Sequence, residues 1–148
     1  MFIKGWREGQ GTMTFKNGDK LTAHWTHDVM QEDKVCMIYS DGNQYEGEWR
    51  ISKRWGSGKM TYTNKDIYEG QWKSDRREGY GIYEYADGAK KGDIYKGEWS
   101  DDKKEGQGIY THVDGTTIEG KFYDNEPDEI CTVKRSDGTT KKVGFTQK

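Results

Sequence analysis

The chain has 148 residues and a mass of 17.2 kDa, the size of one domain, and it is polar, with a mean hydropathy of −1.20. Its 24 basic and 26 acidic residues leave a net charge of −2, so no global field exists to hold nucleic acid or an anionic membrane, and only a local patch can do so. That balance also removes the high net charge that disorder requires, although Leu, Ile, Val and Phe together number only 19.

Aromatic residues make up 14% of the chain. Each buries about 150–250 Å² when packed, so Trp and Tyr can supply the core that the scarce aliphatics do not. The segment "MFIKGWREGQ" lacks the apolar run of a signal peptide, and no window approaches the roughly 18 apolar residues of a spanning helix, which makes a cytoplasmic location the expectation. Two cysteines, Cys36 and Cys131, are too few for a disulfide framework.

Trp6, Trp25, Trp49, Trp72, Trp99 and Phe122 are spaced by 19, 24, 23, 27 and 23 residues, a period that marks a repeat architecture. Unit one runs from Phe2 through Trp6, shortens the stretch to Gly9 and Gly11, and turns at Asn17-Gly18. Unit two runs from Leu21 through Trp25, has Asp33 and Val35 where later units have glycines, and turns at Asp41-Gly42. Lys4 and Ala23 take the place of a strand glycine in these two units, which weakens the expected ring packing there.

Units three to five share one pattern: Tyr45-Gly47-Trp49 with Gly56 and Gly58, Tyr68-Gly70-Trp72 with Gly79 and Gly81, and Tyr95-Gly97-Trp99 with Gly106 and Gly108. Tyr62, Tyr85 or His112 then precedes a turn at Asn64-Lys65, Asp87-Gly88 or Asp114-Gly115, and a four-residue insertion within "DGAKKGDIY" extends the turn before Tyr95. Unit six has Ile118, Gly120 and Phe122, then Glu129 and Cys131 at the glycine positions, Arg135 at the aromatic position, and Asp137-Gly138 as its turn.

Large and polar residues alternate in Tyr68-Glu69-Gly70-Gln71-Trp72, the period of a strand with one packed face. "Gly81-Ile82-Tyr83-Glu84-Tyr85" is its partner, and the Asn-Gly and Asp-Gly dipeptides are hairpin signals. A lone hairpin is marginal in water, so the units are expected to stack. The expected fold is all-β: one domain over residues 1–148, an elongated single-layer antiparallel sheet of about six hairpins, best formed over 45–117. Recurrent glycine inside a strand marks close approach to the backbone, so rings of one strand are expected over glycines of the next. Cys36 and Cys131 then lie about 40 Å apart at ~4.8 Å per strand, too far for a disulfide.

The stretches "YEGEWRISKRWGSGKMTY", "YEGQWKSDRREGYGIYEYADG" and "YKGEWSDDKKEGQGIYTHVDG" resemble the MORN repeat, a motif of about 23 residues. The match is close over residues 45 to 117 and weak in units one, two and six. The resemblance implies a non-enzymatic scaffold, roles in cytoskeletal, ciliary or axonemal assemblies, and dimers formed end to end. It also implies, as a second reading, a peripheral module for acidic phospholipids. Neither sheet edge carries an evident cap, which is expected to invite pairing with another chain.

Two surfaces are candidates for binding. A single-layer sheet has no helix over its ring row, so Tyr45, Trp49, Tyr62, Tyr68, Trp72, Tyr85, Tyr95 and Trp99 form either the floor of an apolar partner-binding groove or a plain core. Lys53-Arg54, Arg76-Arg77 and Lys103-Lys104 recur in successive units and form either an anion- or lipid-binding ladder with a pitch of roughly 10 Å or solvated loops.

Chemistry beyond binding is not expected. His112 stands at an aromatic position, and His24 and His27 have no Cys or acidic pair at ligand spacing, so neither metal nor cofactor is predicted. "GSGKMT" has Lys53 and Met60 where a phosphate loop needs Gly and Ser or Thr. No nucleic-acid motif occurs.

Overall fold

The computed structural model describes residues 2–3 and 6–145, with side chains from residue 8 onward. β1 (Phe2–Ile3) and β2 (Trp6–Arg7) pair only with each other. One 13-stranded antiparallel sheet is built by β3 (Gly9–Thr14), β4 (Lys20–Thr26), β5 (Val29–Met30), β6 (Val35–Ile38), β7 (Gln44–Arg50), β8 (Lys53–Thr61), β9 (Ile67–Lys73), β10 (Arg76–Glu84), β11 (Ile94–Ser100), β12 (Lys103–Thr111), β13 (Thr117–Tyr123), β14 (Glu126–Lys134) and β15 (Thr140–Phe145). Order across the sheet follows order in the chain, with the short β5 beside β4. The all-β, single-layer expectation therefore holds.

Two kinds of turn alternate, one on each edge. Ser74-Asp75, Asp101-Asp102 and Asp124-Asn125 take positive φ at both positions, the two-residue turn whose twist matches that of the strands it joins. Because these turns are so short, Lys53-Arg54, Arg76-Arg77 and Lys103-Lys104 open β8, β10 and β12 and do not lie in loops. At the opposite edge Gly18, Gly42, Gly115 and Gly138 close wider turns, and Lys65 does the same with φ 78°. The insertion forms a 3-10 turn over Gly88–Lys90 capped by Asp87. Gly92, not the expected Gly88, takes the closing position by donating its N–H to the Tyr85 carbonyl.

The glycine rows are as expected. Gly47, Gly58, Gly70, Gly81, Gly97, Gly108 and Gly120 face one another across successive strands β7 to β13. The Tyr45, Tyr68 and Tyr95 rings lie along this bare strip, where a Cβ at Gly58, Gly81 or Gly108 would overlap them. Their hydroxyls donate to the carbonyls of Glu48, Gln71 and Glu98 at 2.5, 2.8 and 2.9 Å. Trp72 stands edge-on between Tyr45 and Tyr68, with centroids 5.6 and 5.1 Å away, and Trp99 likewise between Tyr68 and Tyr95 at 5.3 and 5.4 Å. Phe122 ends the row, 5.0 Å from Tyr95. Edge-on pairs match the positive ring edge to the negative ring face, so the row gains more than burial alone provides.

Neighbouring units are clamped at both edges. Asp75 accepts the Arg54 backbone N–H at 2.8 Å, Asp102 that of Arg77 at 2.8 Å, and Asn125 that of Lys104 at 2.9 Å. Across the sheet, buried Asp66 accepts from the Tyr83 hydroxyl and the Ala86 N–H, both at 2.7 Å. Asp93 repeats this with Tyr110 and Val113 at 2.7 and 2.9 Å.

The end units depart from the pattern. Glu8 alone separates β2 from β3, leaving no room for the turn that would bring β2 beside β3, so β1 and β2 form their own ribbon; Lys4 and the Trp6 ring lie outside the described residues. In unit two, β5 and β6 are interrupted, and Val35 enters the glycine row opposite Gly47. Beyond unit six, β15 pairs with β14 and begins a seventh unit. Phe145 faces Glu129 as Trp99 faces Gly79.

Candidate partner-binding face

Strand alternation sends Tyr and Trp of each unit to one face, and the clamps hold successive units so that these rings close over one another. Tyr45, Trp49, Tyr68, Trp72, Tyr95 and Trp99 are consequently buried, with 0–6% exposure. Six of the eight residues expected at the groove are thus core in this chain alone, because each ring is covered by the next unit's ring. Tyr62 and Tyr85 remain half-buried, packed against the core beside Tyr39 and Tyr83. Burial pushes the Tyr39 and Tyr85 phenols up to about 12, so all four face the solvent as neutral rings at physiological pH.

An open cleft of about 510 Å³ lies on this face near the N-terminal end. Met13, Phe15, Leu21, Met30, Met37 and Tyr39 line it, with Arg54 and Asp75 at its border. Trp25 and Trp49 line it too, and space remains because Leu21 stands where later units have Tyr45, Tyr68 and Tyr95, and Met37 stands in the register of Tyr83 and Tyr110. Met13 and Phe15 are 37% and 39% exposed. Sequence reading missed these residues, yet Phe15 and Tyr39 stand two positions ahead of Asn17-Gly18 and Asp41-Gly42, as Tyr62 does ahead of Asn64-Lys65.

The six expected ladder cations do not form one row. Adjacent strand residues point to opposite faces, so Arg54, Arg77 and Lys104 turn onto the rings while Lys53, Arg76 and Lys103 face away. Arg54 lies 4.7 Å above Trp72 and Arg77 4.6 Å above Trp99. Each is also ion-paired, with Asp75 at 3.1 Å and Asp102 at 3.2 Å. On the outward side, Arg76 pairs with Asp101 at 2.8 Å and Lys103 with Asp124 at 3.0 Å.

Other chemistry is sparse. His112 packs against Tyr110 with centroids 4.9 Å apart and planes tilted by 58°, and its Nδ1 is 3.5 Å from Asp93. Among the described residues no group of His, Cys, Asp and Glu is arranged to hold a metal ion, and Cys36 and Cys131 are free. Among the described residues no helix is long and apolar enough to cross a membrane.

The family model described as "MORN repeat" matches residues 1–20, 45–67, 68–90 and 95–117, more than half of the chain. It thus reaches unit one but passes over 21–44 and 118–148, where the sheet nonetheless continues. Among solved structures, one of the matches is titled "SAS-4 (dCPAP) TCP domain in complex with a Proline Rich Motif of Ana2 (dSTIL) of Drosophila Melanogaster". It is 16% identical, with 93% of this chain and 85% of that chain covered and a TM-score of 0.39. No curated protein matches the chain.

Proposed function

The chain belongs to the MORN repeat family, a group of non-enzymatic modules that bind proteins or membranes, and we propose that it is a scaffold that docks a helix or extended segment of a partner protein on its ring face. The cleft lined by Met13, Phe15, Met30 and Tyr39 is the observation that carries this reading. Exposed, adaptable Met and aromatic side chains around a concave opening suit an apolar peptide anchor. The half-buried Tyr62, Tyr83 and Tyr85 extend the same face toward unit five.

We place this scaffold in the cytoplasm, in a cytoskeletal, ciliary or axonemal assembly. End-to-end pairing with a second copy through end strands belongs to the same proposal. Peripheral binding to acidic lipid is the weaker reading, because two of the outward cations, Arg76 and Lys103, already have carboxylate partners.

Affinity capture from the native cell with mass spectrometry tests the proposal. The wild-type chain is expected to retain a filament component that Phe15→Glu and Met30→Glu chains lose while staying folded. Capture unaffected by both substitutions, or sedimentation with phosphatidylserine vesicles in place of any protein, would overturn it.

A further inference from the structure

We propose that the ring face carries a carboxylate-binding site made by Lys104 and Lys90 around Tyr85, so that the segment docked there is an acidic peptide. The inference rests on the docking reading and adds the chemistry of the partner.

The three inward cations occupy equivalent positions, opening β8, β10 and β12 on the ring face. Arg54 and Arg77 each receive a carboxylate from the next turn, Asp75 and Asp102. The residue that clamps Lys104 is Asn125, whose side-chain oxygen accepts the Lys104 backbone N–H at 2.9 Å. Turn geometry is therefore kept while the charge is missing. Among the described residues no carboxylate lies within ion-pairing distance of the Lys104 ammonium.

Lys104 is nevertheless only 5% exposed. Its Nζ donates to the Tyr85 hydroxyl and lies 5.1–5.8 Å from the centroids of Tyr85, Tyr95, Trp99 and Tyr110. Ring faces offset part of the cost of burying an ammonium but do not neutralise it. A second cation, Lys90, stands 5.3 Å from the Tyr85 centroid and is delivered by the insertion that distinguishes unit four. Burial and the neighbouring Lys90 draw the Lys104 ammonium down to about 8, against the attraction of Glu126. Two ammonium groups thus share one ring, and among the described residues neither has a carboxylate within ion-pairing distance, the group that Asp75 and Asp102 give the arginines.

The depth of Lys104 selects the source of that carboxylate. A Glu or Asp side chain on a docked peptide can reach between rings, whereas a planar array of headgroups meets the outward cations on the opposite face. From Arg54 at the border of the apolar cleft to Lys104 is four strands, about 19 Å at ~4.8 Å each, so one segment of modest length spans both.

Titration of capped hexaglutamate into the full chain at low salt and pH 7, followed by heteronuclear NMR, tests the site. Saturable shifts are expected at Tyr85, Lys90 and Lys104, absent with capped hexaglutamine. Affinity is expected to fall about tenfold in Lys90→Ala, the loss of one charge-assisted contact. It should fall as far in Asn125→Asp, which supplies the carboxylate internally without lowering the urea midpoint. Absence of binding, equal affinity in Asn125→Asp, or shifts centred on Lys53, Arg76 and Lys103 would overturn the inference. So would phosphatidylserine vesicles or inorganic phosphate engaging these residues where hexaglutamate does not. Capture that still depends on Phe15 would leave the docking reading standing after such a failure.

Discussion

The phenol of Tyr68 lies against the bare Cα of Gly81, and a Cβ there would overlap its hydroxyl, Cε1 and Cζ atoms. The ring cannot retreat, because Trp72 and Trp99 stand edge-on to it at 5.1 and 5.3 Å and its hydroxyl is fixed to the Gln71 carbonyl at 2.8 Å. Gly81→Ala is therefore expected to destabilise the chain by about 1–3 kcal/mol, the cost of overpacking a filled core. Gly144→Ala is the control, since an added Cβ there meets nothing within 4 Å, and its effect should stay within about 0.5 kcal/mol. Urea unfolding followed by Trp fluorescence compares them, and equal midpoints would refute ring-on-glycine packing as the source of stability.

Part of the coupling between units resides in two buried acids, Asp66 and Asp93. Asp93 holds the Tyr110 hydroxyl and the Val113 N–H, so Asp93→Ala leaves both donors without their partner and is expected to cost about 2–3 kcal/mol. Asp93→Asn keeps one acceptor oxygen and should cost less. A stack of repeats is stabilised by nearest-neighbour interfaces, so the Ala variant should also broaden the transition, with a lower dependence on denaturant. A sharp transition with an unchanged midpoint would show that the clamp adds nothing to inter-unit coupling.

How much of this was legible depended on whether the packing was local. The ring-to-glycine spacing repeats within each unit, so the sheet, its hairpins and the glycine strip could all be read from Tyr68-Gly70-Trp72 and Gly79-Gly81. Phe145 was legible too, standing 23 residues after Phe122, as the mark of one further strand beyond the six units. Alternation placed Tyr45 and Trp49 on one face without saying whether the next unit would cover them, because that depends on how far the sheet closes. The Lys-Arg pairs were read as neighbours along an edge, although adjacent strand residues diverge. The cleft arises where Leu21 and Met37 stand in place of larger rings, and an absence of bulk leaves only a weak mark in sequence.

Lys65 holds φ 78° at the position where Gly18, Gly42, Gly115 and Gly138 close the other turns. A left-handed conformation costs a non-glycine residue roughly 1–2 kcal/mol, whereas glycine loses about 0.4–1 kcal/mol through its freer unfolded chain. Lys65→Gly should therefore raise stability by about 0.5 kcal/mol. Thermal unfolding checks the sign, and a lowered Tm would mean that the Lys65 side chain makes a contact outweighing the strain.

The buried ammonium of Lys104 makes stability depend on pH in an unusual direction. It faces Lys90, Arg77, Glu126 and the phenols of Tyr85, Tyr95 and Tyr110, and burial, then Lys90, brings its folded value down to about 8 from an unfolded 10.5. Between these limits the unfolded chain binds more protons than the folded one, so stability rises with pH. The gain is on the order of 3 kcal/mol if the whole shift is realised. Above about pH 9 the trend reverses, because burial raises the phenols of Tyr39 and Tyr85 to about 12 and those of Tyr45, Tyr62, Tyr68, Tyr83, Tyr95 and Tyr110 as well, so the unfolded chain loses phenolic protons first. Urea midpoints measured from pH 7 to 9 should climb in the wild type. In Lys104→Met, which replaces the unpaired charge with an apolar chain of similar length, they should start higher and stay level across that range. A flat wild-type profile would show that the Lys104 charge is already balanced in the folded chain, and it would remove the physical reason for a carboxylate to bind beside Tyr85.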